Sequence, residues 1–138
     1  MSRILPATDD PDSAGFWAAA RDHKLVVQKL ADGRLMFPPL SGQRDASWHE
    51  VSGRGTIWSF IVVHGPTLPS YADKLPFPVA VIALDDGAHL RMVGNLLEAP
   101  GAAINSVPLD TIAIGQQVTV CFEQAADDVV LPCWVPDA

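Results

Sequence analysis

The chain has 138 residues, 49% of them apolar, and nine Lys and Arg against sixteen Asp and Glu give a net charge of −7. That length suits one compact domain with a small appendage. The acidic balance argues against a partner held by its phosphate backbone, which needs clustered positive charge.

In chain order, residues 1–10 read as a loose polar lead, and Asp10 stands where it can cap a helix that begins at Pro11. The segment PDSAGFWAAARDHK sets Phe16, Trp17 and Ala20 on one side, which predicts a helix over 11–22. LVVQKLA and RLMFPP flank Asp32-Gly33, a pair that predicts a hairpin closed by a two-residue turn. Pro38-Pro39 ends the second of these strands, LSGQRDAS follows as a polar loop, and SWHEVS starts something extended.

From Gly53 the pattern changes to strands. GTIWSFIVVHG places Trp58, Phe60, Val62 and His64 on one face and Ile57, Ile61 and Val63 on the other. Apolar residues on both faces predict a strand covered on both sides or curved into a barrel. A Pro-rich loop, GPTLPSYADKLPFP, leads to a second hairpin with Asp86-Gly87 at its turn. EAPGAAINSVPLDTIAIG is irregular with room for a short helical turn, and GQQVTVCFEQ and VVLPCWVP are the last two strands. The expected fold is mainly β: an N-terminal helix and hairpin over residues 1–50, then a five-stranded OB-type barrel over 51–138. Gly53 and Gly55 permit the bend that closes it, and five strands are too few for the common seven-stranded sandwich.

Cys121 and Cys133 are the only cysteines and share no CxxC spacing. They read as buried free thiols in a reducing compartment, with a disulfide or a reactive thiol as the other readings. His23, His49 and His89 are scattered without metal-ligand spacing and read as surface or hydrogen-bonded side chains. His64, at a strand end, is a conceivable base, but no Ser, Cys or second His stands at a telling distance, and a polar strand end is the simpler reading. Asp85 and Asp86 are explained by a hairpin turn better than by paired carboxylate chemistry. Trp58 and Phe60 on one strand face would suit base stacking, which the acidic balance opposes, leaving core packing or a protein interface. The mean hydropathy of +0.19 points to an apolar patch covered by a partner. No apolar run reaches the ~18 residues of a membrane-spanning helix, and the start MSRILPATDDPDS lacks a signal peptide's basic-then-apolar order. A cytoplasmic location without membrane contact is expected.

Several segments, taken in order, carry a resemblance: FWAAARDHKLVVQK, GRLMFPP, VSGRGTIWSFIVVH, PSYADKLPFPVAVIALDDG, LRMVGNLL, IGQQVTVCFE and LPCW. Over roughly Gly15 to Pro136 the sequence resembles small acyl-CoA-associated proteins that pair an N-terminal rubredoxin-like zinc ribbon with a C-terminal OB-fold. In that family one Cys-x-x-Cys pair precedes the GR and another follows the PP. Here those places hold Leu30-Ala31-Asp32 and the stretch Ser41 to Ala46, with no cysteine in either. A closed structural site needs four ligands, so no zinc is expected. An isolated hairpin is marginal in water, so this one should pack on the helix or on another chain. Phe16, Trp17, Leu30, Met36 and Phe37 are the partner-facing candidates.

The resemblance implies a non-catalytic accessory subunit that binds a thiolase-like aldolase or acyltransferase and supports its acyl-CoA chemistry. A hotdog-fold enoyl-CoA hydratase is the alternative partner, and a homodimer is expected when the partner is missing. Arg54, Lys74, Arg91 and His64 are the candidates for contact with coenzyme A, against a reading as ordinary solvated side chains. A stand-alone CoA-thioester enzyme using His64 and a single-stranded nucleic-acid binder are the readings from other classes; net charge disfavours the second.

Overall fold

Among residues 3–138, which the computed structural model describes, the first regular element is helix α1, Ala14–Arg21. It starts later than the Asp10–Pro11 pair suggests. The Asp10 carbonyl accepts from the amides of Ser13 and Ala14, and the Asp10 carboxylate accepts from the Asp12 amide, so Asp10 caps a separate turn. The lead is not loose over its described part: the Ile4 amide donates to the Tyr71 hydroxyl, and Arg3 is bound to Glu123 and Asn95. At the other end of α1, the Lys24 amide reaches Ala19 and the His23 amide reaches Ala20, a C-terminal cap that needs a left-handed residue. That residue is His23, at φ 57. Its ring stacks on Phe122 at 5.2 Å, which offsets the cost of about 1 kcal/mol of a left-handed non-glycine residue.

Strands β1 (Val26–Lys29), β2 (Leu35–Met36) and β3 (Ser47–Glu50) form an antiparallel sheet in the order β2-β1-β3. The extended SWHEVS segment is thus the third strand of the N-terminal unit, with Gln28 opposite both Met36 and Trp48. The expected hairpin is present, but its turn is not of two residues. Leu30 and Arg34 are bonded across it, and the Gly33 amide returns to the Leu30 carbonyl, leaving Ala31–Gly33 as the loop. Only Gly33, at φ 90, has positive φ. The loop therefore avoids the positive φ that a two-residue turn would force on Asp32.

The barrel strands are β4 (Arg54–Val63), β5 (Phe77–Leu84), β6 (Arg91–Asn95), β7 (Gln117–Ala126) and β8 (Val129–Pro136), in the order β6-β5-β4-β7-β8. These are the five strands expected from the sequence. The sheet closes where Leu96, just past β6, bridges Trp134 in parallel and the Leu97 amide donates to the Trp134 carbonyl. Gly53 opens β4 at φ 78 and accepts from the Val120 amide; a Cβ there would stand 2.7 Å from Val120. Short 3-10 turns at Pro69–Lys74 and Leu109–Thr111 punctuate the two long loops.

Two expectations about this region are corrected. First, the β4–β5 register skips a residue between Ile57 and Ser59, so Trp58 is the extra residue of a bulge. Strict alternation therefore fails: Ile57 lies with Ile82 and Met92, and Phe60 with Ala80 and Gly94, on the inner face. Trp58 and Ile61, 50% and 63% exposed, lie outside, so Trp58 and Phe60 do not share a face. Second, Asp86-Gly87 does lie at the turn between β5 and β6, but within a longer connection, residues 85–90. Asp86 has a role beyond the turn, because its carboxylate accepts from the Ser52 amide and hydroxyl at the junction of the two sheets.

A single apolar cluster joins Phe16, Val26 and Val27 to Ile57, Ile82, Met92 and Trp134. Each such side chain, fully buried, contributes about 1.5–3 kcal/mol. Trp134, at 1% exposure, is the largest side chain so enclosed, and α1 packs against its strand and against β1.

Candidate functional site

Two adjoining surfaces stand out. The first is the outer face of β4, β5 and β6. Across it the register aligns Thr56, Ala83 and Arg91, then Ser59, Val81 and Val93, then Ile61, Val79 and Asn95. The bulge adds Trp58 to this face, and the Arg91 guanidinium lies 3.8 Å from the centre of its ring, a cation–π contact. Trp58, Ile61 and Val93 are exposed together, an apolar face on a chain otherwise rich in acidic groups.

The second surface is the seam between β6 and β8. Leu96 and Trp134 close the barrel there, and α1 packs against β8 beside the closure. Phe16 meets Trp17 edge-on at 5.0 Å and Phe37 at 5.4 Å. Between these aromatics and the strands is a cavity of about 250 Å³, walled also by Met92, Leu131 and Trp134. Gly94 leaves no room for a side chain, since a Cβ would stand 2.7 Å from the Trp134 ring. Arg3 lines the cavity and donates to both oxygens of Glu123, at 2.8 and 3.0 Å, and to Asn95 at 2.9 Å.

The residues singled out from sequence distribute as follows. Phe16, Trp17 and Phe37 meet at the seam cavity; Leu30 is buried in the N-terminal unit and Met36 is half-buried on β2. Arg54 begins β4, bound to Asp137 at 2.8 Å, and Arg91 lies near that end, opposite Ala83. His64 follows the far end of β4, ten residues on or about 30 Å along an extended strand, and Lys74 ends the 3-10 turn before β5. The four coenzyme A candidates thus form two groups at opposite ends of β4. His89 lies 2.9 Å from the Leu35 carbonyl. Arg3, Gln28 and Asp86 were not legible as working residues, because each acts through tertiary contacts rather than through a motif.

The ribbon-like loops have their own fastening. Gln28, 4% exposed, donates to the Leu40 carbonyl at 3.1 Å and accepts from its amide at 2.7 Å. Asp12 accepts from the Gly42 amide and the Ser41 hydroxyl, and both bonds hold its carboxyl below the usual value, Gly42 most strongly. The Arg34 amide and guanidinium do the same to Asp32. These loops offer carboxylates and amides already engaged in hydrogen bonds, a donor set that does not fit structural zinc. Among the described residues, no three His, Cys, Asp or Glu side chains gather as a metal site.

Cys121 and Cys133 face each other across β7 and β8 as free thiols. Burial, and then the nearby Glu123 carboxylate, raise both, and Cys133 is pushed up to about 12. Neither is poised as a nucleophile.

A five-stranded barrel closed by a parallel contact between its third and fifth strands, preceded by a small antiparallel sheet, defines an OB-fold protein of two-sheet architecture. Residues 48–123 match the family described as "ChsH2, C-terminal OB-fold domain", and the chain belongs to that family. It is 35% identical over 143 residues to the 3-oxo-4,17-pregnadiene-20-carboxyl-CoA hydratase alpha subunit of Mycobacterium tuberculosis, a match covering 97% of this chain and 40% of that protein. It is 29% identical over 79 residues to a DUF35 domain-containing scaffold protein of Pyrococcus furiosus, covering 52% of this chain and 57% of that one. The chain thus spans less than two thirds of these relatives' length. A solved structure named Ltp2-ChsH2(DUF35) aldolase superposes with a TM-score of 0.78 at 29% identity, over 95% of this chain and 98% of that one.

Proposed function

We propose that the protein is a non-catalytic accessory subunit that binds a thiolase-like enzyme and supports its acyl-CoA chemistry. The observation that carries this reading is the end-to-end likeness to the chain in the structure named as an Ltp2-ChsH2(DUF35) aldolase, which leaves almost nothing of either chain unmatched. The outer face of β4, β5 and β6 supplies a surface suited to the role, with Trp58, Ile61 and Val93 each exposed on it. Large aromatic side chains at the centre of such a face are the usual anchors of an interface. The same face suits nucleic acid less well: Arg91 is occupied on Trp58, Arg54 is paired with Asp137, and the net charge is −7.

A second reading, partnership with an enoyl-CoA hydratase, is favoured by the name of the mycobacterial relative, a hydratase alpha subunit of which this chain matches 40%. One experiment separates the two. The tagged chain is co-expressed with thiolase-like and hydratase-like proteins of its own organism, and complexes are sized by light scattering. A stoichiometric complex with the thiolase-like protein is expected, weakened at least about tenfold by Trp58→Asp with Ile61→Asp. Retention of the hydratase alone selects the second reading, and retention of neither overturns both.

A further inference from the structure

We infer that the open edge of β4, from Trp58 to Val63, pairs with the same edge of a second copy of this chain about a twofold axis at Ile61. The direction of each backbone group follows from the ladder. Pro78, opposite Val62, has no N–H, so that pair is not hydrogen-bonded, and alternation makes Ile61 with Val79 and Val63 with Phe77 the bonded pairs. The N–H and C=O of Phe60 and Val62 therefore point away from β5. On that side β7 accompanies β4 only from Arg54 to Thr56, and the chain leading into it holds Ile57 through Gln116 and Gly115 before it departs. Among the described residues, no hydrogen-bond partner meets the backbone of Phe60 or Val62 on this edge. No residue from Trp58 to Val63 is buried.

What such an edge holds is set by its chemistry. A row of unmet amides and carbonyls takes another extended backbone. Strand edges are commonly guarded by charge or proline, and the segment WSFIVV has neither. Two copies, each with a net charge of −7, can thus meet there without setting like charges of this segment in contact. The edge is also self-complementary. With Ile61 opposite Ile61 of the second copy, Phe60 of each chain exchanges both bonds with Val62 of the other, and the bulged Trp58 stays outside this ladder. The two Ile61 residues then form the close, non-hydrogen-bonded kind of pair. Ile61 is 63% exposed in the single chain, so pairing removes apolar surface from water. The strands β6, β5 and β4 of both copies become one continuous sheet.

This inference does not rest on the accessory role, and its test uses the full chain alone. Sedimentation velocity over a concentration series should show a monomer–dimer equilibrium. Amide exchange should slow with concentration at Phe60 and Val62 and stay unchanged at Ile61, which is already bonded to β5. This measurement on the unaltered chain tests the edge whether or not any variant folds. Val62→Pro removes an N–H that β5 does not use and should weaken the dimer at least about tenfold. Ile61→Lys and Ile61→Glu, both at an exposed position, should each weaken self-association by setting like charges across the axis, and an equimolar mixture of the two should recover it. A monomer at every concentration overturns the proposal. So does a dimer in which Phe60 and Val62 exchange as fast as in the monomer, or one that Val62→Pro leaves unchanged. A mixture that associates no better than either charged variant alone overturns the register.

Discussion

The two sheets solve the same problem in opposite ways. The barrel is built from strands of up to ten residues that pair along most of their length and enclose Trp134, Ile57 and Ile82. The N-terminal sheet has strands of four, two and four residues, too short for a ladder to hold the loops that leave them. There single polar side chains do the fastening: Gln28 on Leu40, Asp12 on residues 41 and 42, and Asp86 on Ser52 from the barrel side. The N-terminal sheet thus has its loops tied by a few well-placed hydrogen bonds rather than by long ladders.

The comparison yields four tests. The largest effect is expected in the barrel. Trp134→Ala empties the centre of the common cluster and should cost about 3–5 kcal/mol, measured by urea denaturation and felt by both sheets because α1 packs on β8. Unfolding of the barrel alone, with the N-terminal sheet intact, would show that the two cores are separable.

A smaller effect, about 1–3 kcal/mol, is expected for Gln28→Leu, which leaves the Leu40 amide and carbonyl without their partner. Treatment of the unaltered protein with a chelator should leave its Tm unchanged, and elemental analysis should find no stoichiometric zinc. A chelator effect larger than that of Gln28→Leu would reverse the account of the N-terminal sheet.

The smallest effect is confined to alkaline solution. Cys133 is raised from an ordinary 9.0 to about 12 in the folded chain, so the unfolded chain loses this proton first. Its contribution is full below pH 9 and declines as pH rises from 9 toward 12. Cys133→Ala should flatten that decline in thermal melts recorded across this range, and an unchanged slope would mean that another group causes it.

The barrel was legible because long runs such as VAVIAL and QVTVCF carry their period plainly, and Gly53 marks where they begin. The hairpin was legible from Asp32-Gly33, though not its loop length, since Asp-Gly also suits a three-residue loop in which only glycine turns left-handed. The bulge at Trp58 was not, because one extra residue leaves composition unchanged while exchanging the faces of everything beyond it. Of the seam, Phe16, Trp17 and Phe37 announced themselves as apolar residues in need of cover. Arg3 did not, because its partners Asn95 and Glu123 lie far along the chain.

Barrel closure has a further consequence for the chain's entropy. The pairs β4–β5, β5–β6 and β7–β8 join neighbours in sequence, whereas Arg54 opposite Thr119 and Leu96 beside Trp134 bring together distant segments. Long loops are costlier to close than short ones, although the increment grows slowly with length. The contacts at those two junctions must outweigh that loss before the sheet becomes a barrel. At the second, Trp134 supplies both parts of the compensation: its side chain fills the core, and its carbonyl receives the Leu97 amide that fixes the closure.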